Sequence, residues 1–317
     1  MLGGLKQRPD FLPSAAVALT GVSWGLFWLP LRAFDEAGLQ GAWATFAFYL
    51  VALLILTPFA IARWRHLRDG GAALFFTGLL TGSAFALYAT SLLLTEVVRA
   101  LLLFYMTPVW STLLGAVLLK ERITVARGLA LVLGLAGLLV ILGLDDGFPL
   151  PRNVGDWMGL LSGMAWAYGS LRVFSAETKA SFEPVFAFFA SGILIGVLFL
   201  LLPFEGMGEP PSGATLRATT PWLLAMVVLF VLPAMFLVFW GAARLSPGRV
   251  GILLMGEVVV GVVSAAIMTD EPFGAREIIG SLLVIGAGLI EVSRQQPAGD
   301  MKSPVAANSA SPGPGAA

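Results

Sequence analysis

Cysteine is absent from this 317-residue sequence, and histidine occurs once, at His66. No disulfide framework, thiolate metal site or cysteine nucleophile can be built from it. A histidine zinc site, which needs several ligands at short spacing, is excluded too. No GxxxxGK[ST] loop occurs, so nothing in the chain offers that phosphate cradle for ATP drive. Charge is scarce as well: 12% of the residues are charged, and 19 basic balance 19 acidic residues for a formal net charge of zero. Soluble domains carry about 25% charged residues. A neutral chain has no overall attraction to nucleic acid, so only the distribution of its charges can inform.

What the sequence does have is apolar residues, 58% of the chain, and a mean hydropathy of +0.89. They fall in runs of some twenty residues, at about 14 to 33, 41 to 62, 72 to 93, 98 to 119 and 125 to 143, then 155 to 174, 183 to 203, 220 to 242, 249 to 269 and 275 to 292. At a 1.5 Å rise per residue, each is long enough to cross about 30 Å of hydrocarbon. A backbone in lipid must close its own hydrogen bonds, and barrel strands of alternating polarity are not seen, so the expected fold class is an all-α integral membrane protein with ten transmembrane helices. Residues 1–12 are expected to be a cytoplasmic N-terminus, retained because the following run is too long for a signal peptide. Residues 293–317, rich in Pro, Gly, Ala and Ser, read as a disordered cytoplasmic tail.

Lys and Arg give the orientation. With the N-terminus inside, the inner segments hold Lys6, Arg8, Arg63, Arg65, Arg68, Lys120, Arg122, Arg127, Arg172, Lys179, Arg244, Arg249, Arg294 and Lys302, fourteen of the nineteen. The outer segments hold Arg32, Arg99, Arg152, Arg217 and Arg276, with acids such as Asp35, Glu36, Asp145, Asp146, Glu205 and Glu209. The positive-inside rule therefore puts both termini in the cytoplasm, of a bacterial inner membrane. "RWRHLRD" is the strongest inside marker, and His66 within it reads as a solvated loop residue rather than a proton relay.

"RALLLFYMTPVWSTLLGAVLLKERIT", from Arg99, aligns with "RVGILLMGEVVVGVVSAAIMTDEPFG", from Arg249. Thr107 then meets Glu257 and Glu121 meets Glu271, while "VSWGLFW" near the start matches "MAWAYGS" in the second half. Each half is one five-helix unit, residues 13–144 and 155–292, and an odd number of crossings inverts the second unit relative to the first. The "WG" of the first span, "TPVWSTLLGAVLLKERIT" and "DEPFGAREIIGSLLVIGAGL" resemble the EamA-type members of the drug/metabolite transporter superfamily, over about residues 13 to 292. The resemblance implies a central cavity formed chiefly by the first, third, fourth, sixth, eighth and ninth helices, with the fifth and tenth peripheral.

Glu257 is the ionisable residue that stands deepest in an apolar run, where a charge costs about 2.5–3.5 kcal/mol on insertion scales. It shares a face with Leu254, Gly261 and Ser264, so a carboxylate that binds a proton, a cation or a substrate amine is weighed against one sealed in an ion pair with arginine. Trp24, Trp28, Tyr88, Tyr105, Trp110, Trp166, Tyr168, Met235 and Trp240 offer an aromatic and sulfur lining for an apolar substrate body, or else helix packing and interface belts. Trp24 and Trp166 stand out because the repeat pairs them. Thr107 and Ser111 are hydroxyl ligands, or serve the carbonyl freed by Pro108. Arg99 and Arg249 are read either as mouth or gate residues, with Glu96 beside Arg99, or as snorkelling cations. Pro108 and Pro233 are candidate hinges. Glu121 and Glu271 are expected to cap or pair at the surface.

These residues point to a secondary transporter that exports a small organic metabolite, an amino acid or amphipathic amine, through alternating access, with Glu257 carrying protons. A multidrug or cation exporter of the same fold, and a non-transporting scaffold or receptor, are the competing readings. An intramembrane enzyme would need a convergent catalytic set, which one loop histidine and one deep carboxylate do not supply, so the chain reads as a non-enzyme. The expected partners are a small-molecule substrate, protons and the lipid bilayer, with no cofactor, metal or nucleic acid, and the expected state is a monomer.

Overall fold

Proline, hydroxyl residues and glycine decide where the apolar runs stay straight and where they break. The computed structural model describes residues 9–143, 150–201, 208–268 and 273–293. Lys6, Arg8, Asp145, Asp146, Glu205, Glu271, Arg294, Lys302 and the tail from 294 lie outside the described residues. The first run forms α1 (Phe11–Gly25) and α2 (Trp28–Glu36), split at Leu26 and Phe27. Next come α3 (Ala42–Ala62) and α4 (Trp64–Leu94). The fourth run divides into α5 (Val97–Phe104) and α6 (Thr107–Leu118), followed by α7 (Val125–Leu142).

The second half begins with α8 (Val154–Ser175) and α9 (Phe182–Leu201). α10 (Gly213–Met226) passes through one π-helical turn, Val227–Val231, into α11 (Leu232–Ala242). α12 (Pro247–Leu254) and α13 (Gly256–Met268) divide the ninth run at Met255, and α14 (Ala275–Ser293) completes the described chain. Helix starts follow capping chemistry: the side chains of Thr124, Asn153 and Ser212 each accept the backbone N–H three residues on, which supplies donors that the first helical turn leaves unpaired. The basic segment around His66 is helical rather than a loop. It joins the rest of α4 through a kink at Gly71, whose φ of 47° favours glycine, and His66 is exposed.

Among the described residues, eight helical stretches are long and apolar enough to cross a membrane, from Phe11–Glu36 to Pro247–Met268. α8 and α14 are not among them. The physical reason lies in their partners. α8 carries Gly155, Gly159, Ser162, Gly163, Gly169 and Ser170, all buried, because protein rather than lipid surrounds much of it. α14 carries Arg276, Glu277 and Glu291. The small residues of α8 let membrane helices pack closely, whereas the charged residues of α14 lower its hydropathy.

α4 packs on α8 and α9, and α1 on α11, α12 and α13, around a core that includes Phe48, Phe188, Phe189 and Phe239. α7 and α14 pack against each other at Gly137 and Gly280. A Cβ on Gly137 would stand 2.6 Å from the Gly280 carbonyl oxygen, so only glycine allows that approach. Large apolar side chains such as Leu54, Val132, Leu229, Ile267 and Leu282 are exposed on the outside of the bundle. Apolar exposure on that scale belongs to a surface in lipid.

Short connections such as Thr95–Glu96 and Leu119–Thr124 turn one run back along the next, which sorts the ends of the runs onto two faces. On the face holding the start of α1, Arg127 Nη1 donates to Glu121 Oε2 at 2.6 Å and its Nη2 to Ser246 Oγ at 2.7 Å, with Glu291 3.5 Å from Nε. Glu121 is therefore buried in an ion pair and not at the surface, because the first turn of α7 brings Arg127 back over it.

Candidate substrate cavity

Three of the runs break part-way along their length, and residues at or beside each break line one cavity. α5 ends at Phe104, and Tyr105 and Met106 form a tight turn before α6. Pro108 has no N–H to give to the Phe104 carbonyl four residues back. The Thr107 Oγ1 donates to that oxygen instead, at 2.5 Å. α12 and α13 break at Met255, 150 residues after Tyr105, with no proline to impose it. α1 and α2 break at Leu26 and Phe27, and the π-helical turn Val227–Val231 immediately precedes Pro233.

Glycine brings the first helices of the two halves onto these breaks. A Cβ on Gly21 would lie 3.4 Å from the Leu254 carbonyl oxygen and 3.5 Å from the Glu257 nitrogen, and one on Gly25 only 2.6 Å from the Glu257 oxygen. In the other half, a Cβ on Gly163 would lie 2.6 Å from the Phe104 carbonyl oxygen and 2.9 Å from Thr107 Oγ1. α1 thus presses on the α12–α13 break in the way that α8 presses on the α5–α6 break.

The cavity has a volume of about 380 Å³, at the lower end of the roughly 300–1,000 Å³ of small-molecule sites. Glu257, Trp24, Trp166, Tyr105, Thr107 and Tyr88 all line it, as do Trp28 and Met235. Glu257 stands in the first turn of α13, the helix end at which the helix dipole favours an anion. It is half-buried: protein surrounds it, while the cavity reaches its surface. Leu254 and Gly261 line the cavity with it, and Ser264, next along the same face, accepts from Trp28 Nε1 at 2.9 Å.

Tyr88 and Tyr105 interact electrostatically with Glu257, and Tyr105 makes the closer polar contact. The Tyr105 Oη is buried and meets no strict hydrogen-bond geometry, so this contact is a loose one. Phe104 lies between the two phenols, 4.4 Å from the Tyr88 ring centroid and 5.2 Å from that of Tyr105. Trp24 leans on Phe27 and Phe85. Thr45 adds a second hydroxyl beside Thr107, the rest of the wall is apolar, and among the described residues the one charged side chain in it is Glu257.

The lining runs out to helix ends at Leu31, Leu92, Val97 and Leu142, all on the face away from the start of α1. At the opposite end it stops at Phe188, Met235, Val238 and Gly251, all buried, with Leu245, Ser246 and Arg249 buried beyond them. Among the described residues, the lining therefore reaches the ends of the runs on one face and is closed off by buried side chains toward the other.

Several expected residues stand elsewhere. Arg99 and Arg249 do not line the cavity: Arg99 pairs with Asp156, and Arg249 with Asp10 at 2.6 Å. Glu96 is exposed and has no part in the Arg99 ion pair. Ser111 is buried outside the lining, and so is the Trp110 indole nitrogen. Trp240 stacks under the Arg244 guanidinium at 4.6 Å, and Tyr168 is exposed. Pro108 and Pro233 sit one or two residues into the helices that follow the breaks. The sequence reading missed the phenylalanines Phe27, Phe48, Phe85, Phe104 and Phe188, which carry no polar mark. It also missed Asp10 and Asp156, for which a signal existed, since an arginine at the start of a span calls for a buried partner.

Comparison with known proteins agrees with this architecture. A crystal structure aligns over 90% of this chain and 96% of its own length, with a TM-score of 0.65 and 18% sequence identity, which establishes likeness of fold. The Uncharacterized transporter YojE of Bacillus subtilis (strain 168) is 26% identical over 273 residues, 82% of this chain and 86% of that protein. The model of the EamA-like transporter family matches residues 13–143 and again 153–292. The chain is a membrane transporter and belongs to the EamA-like family.

Proposed function

We propose that the chain is a secondary active transporter of ten transmembrane helices, arranged as two inverted five-helix repeats with both termini cytoplasmic, working as a monomer in a bacterial inner membrane. It exports a small organic metabolite by alternating access, and Glu257 carries a proton or the substrate's positive charge across the midplane. The observation that supports this best is the position of Glu257: an acid without an ion pair among the described residues, at a helix break, in the wall of a cavity open on one face. The spacing of the breaks, Tyr105 to Met255, supports the repeat, and inverted repeats with interrupted helices at the midplane suit alternating access.

The lining favours an amphipathic amine over an amino acid. Aromatic faces attract cations, and among the described residues the wall holds one carboxylate and no basic side chain to receive a substrate carboxylate. With N-in topology, the open face is the outer one.

The test is counterflow in proteoliposomes with a panel of amines and amino acids, repeated across a pH gradient. Exchange of an amine that quickens with an inward proton gradient supports the proposal. A protein that folds yet exchanges no member of the panel at any gradient speaks for a scaffold or receptor.

A further inference from the structure

Two buried ion pairs occupy matching places in the two halves. On the open face, Arg99 in α5 pairs with Asp156 in the first turn of α8, and its Nη2 also donates to the Leu150 carbonyl at 2.8 Å. On the closed face, Arg249 in α12 pairs with Asp10, at the start of α1. Each joins the leading segment of one half's fourth run to the first helix of the other half. Arg99 and Arg249 are 8% and 1% exposed, Asp156 and Asp10 0% and 9%.

Neither arginine faces the cavity. Val97 and Leu101 line it from α5, and Gly251 and Leu254 from α12. Residues two apart on a helix point some 200° apart, so Arg99, two beyond Val97, and Arg249, two before Gly251, occupy the backs of their helices. A gate that alternated with the cavity would be parted on the open face, yet Arg99–Asp156 is as closed and buried there as Arg249–Asp10 is on the sealed one. If the inverted repeats exchange conformations in the opposite state, the two pairs exchange places and both are again closed.

We propose that Arg99–Asp156 and Arg249–Asp10 are permanent struts and not gates. They weld α5 to α8 and α12 to α1 in every state of the cycle, and the breaks at Tyr105–Met106 and Met255 take up the movement. This rests on the alternating-access reading above.

The natural absence of cysteine makes a direct test simple. Leu254→Cys places a single thiol in the cavity. Its labelling by a membrane-impermeant maleimide is compared in right-side-out and inverted vesicles, giving an outside-to-inside ratio. That ratio is then measured with Arg99→Met and Asp156→Asn together, and separately with Arg249→Met and Asp10→Asn together. The struts predict ratios within about twofold of the parent for both, since a buried pair replaced as a unit is often neutral in stability. Shifts of tenfold or more, in opposite directions for the two variants, would mark them as gates and overturn the proposal. Should a double variant fail to fold, Arg99→Lys and Arg249→Lys serve instead: they keep the charge but lose the fork, a gate again predicts opposed shifts, and a strut none. Labelling from one face alone in the parent, unchanged in the variants, would count against alternating access and leave the struts standing.

Discussion

Among the described residues, every buried arginine is engaged with an acid other than Glu257: Arg99 with Asp156, Arg249 with Asp10, and Arg127 with Glu121 and Glu291. That division of charge leaves Glu257 without an arginine partner among the described residues, which supports the role proposed for it above. The same residue depends on close helix packing. A methyl group at Gly25 would meet the Glu257 oxygen and the Val260 Cβ at 2.6 Å, so α1 and α13 would have to part. Gly25→Ala should destabilise the protein by about 1–3 kcal/mol, the usual cost of overpacking, read as a lower unfolding temperature in detergent. An unchanged temperature would show that the helices are not in contact there.

At the scale of the element, the α5–α6 break is a local trade between a proline and a hydroxyl. Thr107→Val strips the Phe104 carbonyl of its donor, at a cost of about 1–3 kcal/mol for an unsatisfied buried group. Pro108→Ala restores a backbone N–H, so the double variant should recover most of the loss. Equal losses in the single and double variants would contradict the assignment of that hydrogen bond. Pro108 made this break legible in the sequence, as Pro233 marked the π-helical turn before it. The Met255 break was only faintly marked on its own residues, because a lone glycine, Gly256, is a weak breaking signal beside a proline, and α1 packs closely on the break through Gly21 and Gly25. α8 was expected as one of the cavity-forming spans; its buried glycines and serines pack on protein, while Val154, Trp157 and Leu161 remain exposed. Of the cavity lining, Glu257, Tyr88, Tyr105, Thr107 and the three indoles were named from the sequence, whereas Thr45 was not. The phenylalanines were not, since in a chain with 22 of them only three-dimensional packing separates cavity wall from core.

For the whole molecule, the sorting of Lys and Arg leads to a topology that the cysteine-free background can test at two points. His66 and Glu36 are both exposed, near the ends of successive runs on opposite faces. In intact cells an impermeant maleimide should label Glu36→Cys and leave His66→Cys unlabelled until the membrane is opened. The reverse pattern would invert the orientation, and with it the direction in which the cavity opens. The family match and the fold establish a membrane transporter. The cavity adds a chemical constraint, with aromatic walls, one acid and no basic side chain among its described lining residues.

The most direct measurement is solute flux driven by a pH gradient in proteoliposomes, comparing the parent protein with Glu257→Gln, which keeps the shape of the side chain and removes its charge. The account predicts that the variant folds and inserts normally but loses gradient-driven flux at least tenfold. Coupled flux at the parent rate would contradict it.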